Sequence, residues 1–176
     1  MATGIRAEIR VDADGACPVV EGAVDVGSQS YSVARSTTAS TSDRVVEEFL
    51  LESEGTPTAS VELEETFDYG ARTMYRFERE RGRGCPCEVI EGFDCPVVDI
   101  HTRDGYLYLV FHAVDMETLQ SAIGAITEQY SEVDVQRLLR TRDEFREDSM
   151  VFLDQGRLTD RQREVLETAH RMGYFE

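Results

Sequence analysis

The dipeptide Asp104-Gly105, set between two runs of alternating apolar and polar residues, narrows the possible folds of this chain more than any other feature. Asp-Gly favours a two-residue type I′ turn, because both of its residues adopt positive φ angles at low cost. The turn predicts a β-hairpin over residues 97–113 with a defined register. The predicted pairs on the core face are Thr102 with Leu107, Ile100 with Leu109, and Val98 with Phe111. An antiparallel sheet is therefore expected in the second half of the chain.

The segments around the hairpin complete a layered unit. Asp115 is the predicted N-cap of an amphipathic helix over residues 116–130. The apolar stripe of that helix would carry Leu119, Ile123, Ile126 and Tyr130. A short helix is predicted over residues 86–93 and a last strand over residues 133–140. The order αββαβ indicates an α+β class with a ferredoxin-like second half.

The first half of the chain is predicted to consist mainly of antiparallel strands. Alternation or β-branched residues predict strands over residues 5–11, 24–33, 44–52, 60–67 and 71–80. No stretch approaches the roughly 18–20 consecutive apolar residues of a membrane-spanning helix. The N-terminus also lacks the basic and apolar regions of a signal peptide. A cytoplasmic protein without a membrane partner is therefore expected.

The charged residues are unusual in kind and in balance. The chain has 18 basic residues against 35 acidic ones, giving a net charge of −17, and every basic residue is arginine. This acidity without lysine resembles the proteins of extremely halophilic archaea. At about 1 M salt the Debye length is only about 3 Å, so the acidic surface does not exclude DNA as a partner.

Four cysteines, Cys17, Cys85, Cys87 and Cys95, are candidate metal ligands. Four thiolates are a sufficient set for a structural zinc ion or for an iron–sulfur cluster. The residues after Cys17, Cys85 and Cys95 are prolines, which push the preceding cysteine out of the helical conformation. Structural disulfides are rare in a cytosol. A metal site, redox-sensing thiols and inert buried thiols are the alternatives that the residues leave open.

His112 is a fifth candidate ligand. In the predicted register it faces Val97 on the non-core face, which Cys95 would share. Diagonal cross-strand neighbours lie about 7–8 Å apart, within reach of a shared ligand or of a hydrogen bond to one. The alternative is a half-exposed strand histidine without a role at the site.

No motif of an enzyme is present. The chain has neither a glycine-rich phosphate loop between a strand and a helix nor a Gly-x-Ser-x-Gly elbow. Arg76 and Arg79 are interpreted as surface charges set between acids, with an anion site as the alternative. We therefore expect a protein that is not an enzyme.

The C-terminal segment has its own helix-start signal. Thr159 and Gln162 form a capping box. The apolar stripe that follows consists of Val165, Leu166, Ala169 and Met172. The run LTDRQREVLETAHRMGYFE resembles the first helix of the helix-turn-helix domain in haloarchaeal transcription regulators of the bacterio-opsin-activator type. The resemblance implies binding to promoter DNA through later helices that this chain lacks, and hence a truncated domain.

The cysteine spacing carries a second resemblance. A distant cysteine followed by C-x-C-x7-C is similar to the N-terminal motif of haloarchaeal regulators of anaerobic nitrate and DMSO respiration. It implies a redox-sensitive metal centre, with an iron–sulfur cluster favoured and zinc as the alternative. Residues 1–148 are then expected to be an α+β sensor domain, and residues 149–176 a connector and the first helix of the helix-turn-helix. A homodimer is a further expected partner, and a small-molecule-binding domain with structural zinc is the alternative function.

Overall fold

The computed structural model of the chain describes residues 4–37, 43–52, 55–82 and 84–140, together with residues 161, 164, 165, 168 and 169. The chain divides into two compact units, Met1–Asp143 and Glu144–Glu176. The elements of the first unit are, in chain order, β1 (Ile5–Val11), α1 (Pro18–Asp25), β2 (Ser30–Thr37), β3 (Arg44–Leu51), β4 (Glu64–Asp68), β5 (Thr73–Glu80), α2 (Pro86–Glu91), β6 (Val97–Arg103), β7 (Tyr106–Ala113), α3 (Met116–Gln129) and β8 (Val133–Arg140).

Four strands form a ferredoxin-like sheet in the order β6-β7-β1-β8, with antiparallel neighbours throughout. The run α2-β6-β7-α3-β8 confirms the predicted αββαβ order. The N-terminal strand β1 lies between β7 and β8 and supplies the strand that the second half lacks. With β1, the segment α2-β6-β7-α3-β8 completes a βαββαβ unit, and α1 with strands β2 to β5 is inserted between β1 and α2.

The insertion includes a second antiparallel sheet, the inserted sheet, with strand order β2-β3-β5-β4. Alternate residues of β3, from Val45 to Leu51, are buried on its inner face. Helix α1 packs on this inner face, since a Cβ atom added to Gly22 would lie 3.4 Å from the ring of Phe49. Buried residues of both sheets and all three helices belong to one core.

The hairpin confirms part of the predicted register. Asp104 and Gly105 have φ angles of 54° and 81°, as a type I′ turn requires. The pairs of Thr102 and Ile100 form as predicted. The register shifts between Val97 and Asp99, so the predicted pair of Val98 with Phe111 is wrong. The bulge leaves Val98 51% exposed, whereas Val97 takes its place opposite Phe111.

The helices agree with prediction except for α1. In α3, Asp115 Oδ1 accepts a hydrogen bond of 2.8 Å from the Thr118 amide, which confirms the N-cap. Helix α1 was not predicted, and the strand expected over residues 24–33 was wrong at its start, because β2 begins at Ser30. The strand expected over residues 60–67 was also misplaced, since β4 begins at Glu64.

The second unit is described at five residues, all of them helical. Arg161 and Glu164 form an ion pair of 2.6 Å on this helix. The predicted capping residues Thr159 and Gln162 lie outside the described residues, as does much of the predicted apolar stripe. Among the helices that the structure describes, none has the length and apolar character needed to cross a membrane.

Replacing Gly22 with alanine is expected to raise the unfolding free energy by about 0.5–1 kcal/mol, because glycine is costly within a helix. The added methyl group would meet Phe49, Leu63 and Pro57 at 3.4–3.6 Å, which is ordinary contact. Denaturant unfolding in molar KCl measures the change. Gly27→Ala is the opposing control: Gly27 ends α1 with a φ of 63°, and alanine there should cost about 1 kcal/mol. Equal effects of the two substitutions would contradict this account of α1.

Candidate metal centre

Cysteines stand at the N-termini of two helices. Cys17 is the N-cap of α1 and Cys85 is the N-cap of α2, and a proline is the first helical residue in both cases. Proline suits that position because its missing N–H would have no partner in the helix. It also keeps the preceding cysteine extended, as predicted, with ψ angles of 112° at Cys17 and 130° at Cys85.

Three of the four cysteines are neighbours in the core, and all four are buried free thiols. The thiols of Cys85 and Cys87 are hydrogen-bonded to each other. Burial, together with the nearby charge of Cys85, raises the pKa of Cys17 to about 12. The hydrogen bond with Cys87 lowers the pKa of Cys85 against the effect of burial, and Arg79 also lowers it. Cys85 is therefore the thiol of this group that most readily becomes a thiolate.

Cys95 lies apart from this cluster. Cys85 and Cys87 are at the N-terminal end of α2, whereas Cys95 follows its C-terminal end. A six-residue helix rises about 9 Å, so α2 itself holds the two ends of the motif apart. The Cys95 thiol contacts the carbonyl oxygen of Phe93 at 3.6 Å. Burial raises the pKa of Cys95, with added effects from Asp94 and Asp115 rather than from another cysteine.

His112 is not brought to the cysteines. It is exposed and lies opposite Arg6 of β1, on the sheet face that turns away from the core. Cys95 is fully buried. The shared face was predicted from a pair of His112 with Val97, but the bulge in β6 removes that pair. The backbone amide of His112 instead donates to the carbonyl of Pro96 at 3.3 Å.

A buried ion network links the inserted sheet to α2 beside the cysteines. Glu47 of β3 is 4% exposed, and its Oε1 accepts hydrogen bonds from Arg79 Nη2 at 2.6 Å and Nε at 2.8 Å. Arg35 of β2 reaches the same oxygen at 3.3 Å. The two arginines also bind α2, through Glu88 at 2.7 Å and Glu91 at 2.5 Å. The network therefore fixes α2 to the inserted sheet by two separate ion pairs.

The interpretation of Arg79 as a surface charge was wrong, because its side chain is only 9% exposed. Arg76 does lie at the surface, paired with Glu48. The alternating pattern of β5 distinguishes the two arginines, since Arg79 lies on the same face as the buried residues Tyr75 and Phe77. A charged residue in phase with buried aromatic residues predicts a buried ion pair rather than a solvated one.

The guanidinium groups and the thiols affect each other electrostatically. Burial works to lower the pKa of Arg79, but the charges of Cys85 and Glu47 raise it above its ordinary value. The hydroxyl of Tyr130 donates to the carbonyl of Gly84, next to Cys85. Burial raises the pKa of Tyr130, and the cysteines raise it further, so this hydroxyl stays protonated. The cysteine cluster therefore lies beside a network of two arginines and three glutamates, and near a tyrosine whose hydroxyl is bonded to the backbone.

The thiol side chains are suitable ligands for a thiophilic metal, although they are not arranged around one common point. In the part of the chain that the structure describes, no group of three or more His, Cys, Asp or Glu side chains is arranged to hold a metal ion. Three buried thiols nevertheless supply the sulfur donors that zinc or iron takes, and the nearby arginines favour the thiolate form of Cys85. A tetrahedral site needs a fourth ligand, and Cys95 would have to move toward the other three to supply it.

Comparison with known proteins gives two family matches and one curated relative. Residues 1–141 match the family described as "DmsR, N-terminal domain-like", and residues 158–176 match the family "HTH DNA binding domain". The relative is the transcriptional regulator NarO of Haloferax volcanii, which is 36% identical over 179 residues. The match covers 100% of this chain and 82% of the relative.

Proposed function

Because this chain belongs to the haloarchaeal transcription regulators in which a DmsR-like N-terminal domain precedes a bacterio-opsin-activator-type helix-turn-helix, we propose that its first unit senses the redox state of the cell. The observation that carries the proposal is the group of three buried thiols beside Arg35 and Arg79. Both arginines lower the pKa of Cys85, which favours the thiolate form that a metal ligand needs. The helix-turn-helix region would contact promoter DNA.

The proposed ligands are Cys17, Cys85 and Cys87, with Cys95 as the fourth. An iron–sulfur cluster is the group we favour, because it would supply a change of oxidation state and a sensitivity to oxygen. Zinc is the alternative. Cys85 would bind first, since its pKa is the one that is lowered. Arg35 and Arg79 would favour its thiolate form, although they are also paired with Glu47, Glu88 and Glu91.

The signal would travel through α2. Cys17 belongs to the start of α1, whereas Cys85 and Cys87 belong to the start of α2, so shared ligation ties the two helices together. Release of the thiols would leave α2 held by its ion pairs from Glu88 and Glu91. A shift of α2 would then pull on the inserted sheet. The output would be a changed orientation of the DNA-binding helices or a changed homodimer.

Metal and sulfide content of protein purified without oxygen in molar KCl tests this proposal. We expect iron with acid-labile sulfide and a visible absorption spectrum that bleaches in air. Colourless protein with one zinc per chain would make the cysteines structural and would favour a small-molecule sensor instead. Protein that holds no metal under these conditions, and takes up none on reconstitution, would contradict both forms of the site.

A further inference from the structure

The outer face of the inserted sheet carries an apolar row that crosses all four strands. The cross-strand pairs are Tyr31 with Leu50, Leu50 with Met74, and Met74 with Phe67. Tyr69 extends the row, since its ring centroid lies 4.6 Å from that of Phe67. These five residues are called the outer row. Neighbouring strands lie about 4.8 Å apart, so the row is about 14 Å long before Tyr69 is added.

The outer row is not part of the core. Phe67 is 58% exposed and Tyr69 is 63% exposed, and Leu50 and Met74 are half-buried. The contacts of α1 and α2 with the inserted sheet go to its inner face, through Phe49, Glu47 and their neighbours. Contiguous apolar side chains on the surface of a chain with 30% charged residues indicate an interaction site.

The charges around the outer row favour a partner with the same surface. Three arginine–glutamate pairs flank it: Arg44 with Glu78 at 3.1 Å, Arg72 with Glu52 at 3.1 Å, and Arg76 with Glu48 at 2.5 Å. The Arg72 guanidinium also lies 5.0 Å from the centre of the Tyr31 ring. Glu64 and Glu80 face Arg76 and Arg44 from neighbouring strands, so this face carries charges of both signs with an excess of glutamate. Because arginines and glutamates are interspersed, a two-fold contact can set each arginine against a glutamate of the other copy.

We propose that the outer row is the interface between two copies of this chain. The inference specifies the homodimer that the proposed function invokes, and its contacts are separate from the cysteines. Two chains of charge −17 repel each other at low ionic strength, but this repulsion is screened within about 3 Å at 1 M salt. Burial of the aromatic and aliphatic side chains is not screened in this way. The dimer should therefore strengthen as KCl is raised.

Sedimentation velocity of the full chain over a concentration series, at low and at molar KCl, tests the interface. We expect a dimer of the wild-type chain that tightens with salt. Phe67→Asp should weaken the dimer by at least about 30-fold, because it puts a charge into the apolar contact at its most exposed strand residue. Val98→Asp is the matched control, since Val98 is similarly exposed but lies on the ferredoxin-like sheet. It should leave the dimer unchanged.

Circular dichroism shows whether the variants are folded, and Met74→Glu serves if Phe67→Asp does not fold. A wild-type monomer at every salt concentration, or equal weakening by Phe67→Asp and Val98→Asp, would overturn the inference. Metal content on the same samples separates it from the proposed function. If the chain binds metal but is a monomer, the proposed interface is wrong and the proposed sensor is not. If the chain is a dimer without metal, the proposed sensor is wrong and the interface is not.

Discussion

Replacing Glu47 with alanine is expected to lower the unfolding free energy by about 1.5–3 kcal/mol, the range for a buried hydrogen bond to a charged group. Glu47 is the carboxylate that Arg35 and Arg79 share, and all three side chains are at most one-tenth exposed. Without it, two guanidinium groups would remain in the core with Glu88 and Glu91 as their remaining charged partners. Denaturant unfolding in molar KCl measures the loss.

Glu48→Ala is the control for this substitution, one position along the same strand. Glu48 faces outward and pairs with Arg76, whose side chain is 47% exposed. Exposed pairs of this kind contribute about 0–1 kcal/mol. Similar losses for the two alanine variants would mean that the Glu47 network is solvated in solution, and the coupling of α2 to the inserted sheet would have to be abandoned.

The cysteine variants are expected to differ sharply from one another in metal binding. Cys17→Ser, Cys85→Ser and Cys87→Ser each remove one of the three neighbouring thiols that we propose as ligands. Each should therefore weaken metal binding by at least about 100-fold, which is more than the roughly 10–100-fold loss typical of a residue that only orients a ligand. Cys95→Ser removes the thiol that lies beyond the far end of α2. It should leave measurable binding by the other three.

Anaerobic titration with Co²⁺ reports these differences, because thiolate ligation gives intense absorption bands. The promoter response of each variant is the second measurement, and loss of any of the four cysteines should abolish it if the complete site carries the signal. A fully responsive Cys17→Ser protein would contradict the tie between α1 and α2. Equal binding by all four variants and the wild-type chain would remove the cysteines from metal binding altogether.

Local signals in the sequence predicted the second half of the fold well. The Asp104-Gly105 turn and the Asp115 cap act within a few residues, and both were confirmed. The bulge at Val98 escaped prediction because nothing in the strand's own pattern marks it. Its consequence was large, since one extra residue moved His112 out of the expected pairing and away from Cys95.

The sequence names four cysteines as candidate ligands, but it did not predict how they are arranged. The spacing of Cys87 and Cys95 suggested a common site, yet the intervening residues form α2 and hold the two thiols apart. The pair Cys17-Pro18 is also a helix-start signal, because proline is favoured at the first position of a helix. It marks the start of α1 at Pro18. The partners of Arg79 depend on which strands become neighbours, and that information is not local.

The central position of β1 in the ferredoxin-like sheet has a consequence for biosynthesis. Its hydrogen-bonding partners are β7 and β8, so Ile5 pairs with Ala113 on one side and with Arg140 on the other. Strand β1 leaves the ribosome first, but its partners β7 and β8 are the last two strands of this unit to be synthesised. At about 5–20 residues per second, β1 would stay unpaired for many seconds. The inserted sheet, whose strands are contiguous in the chain, can form during that interval and shield the apolar side of α1 until translation has passed β8.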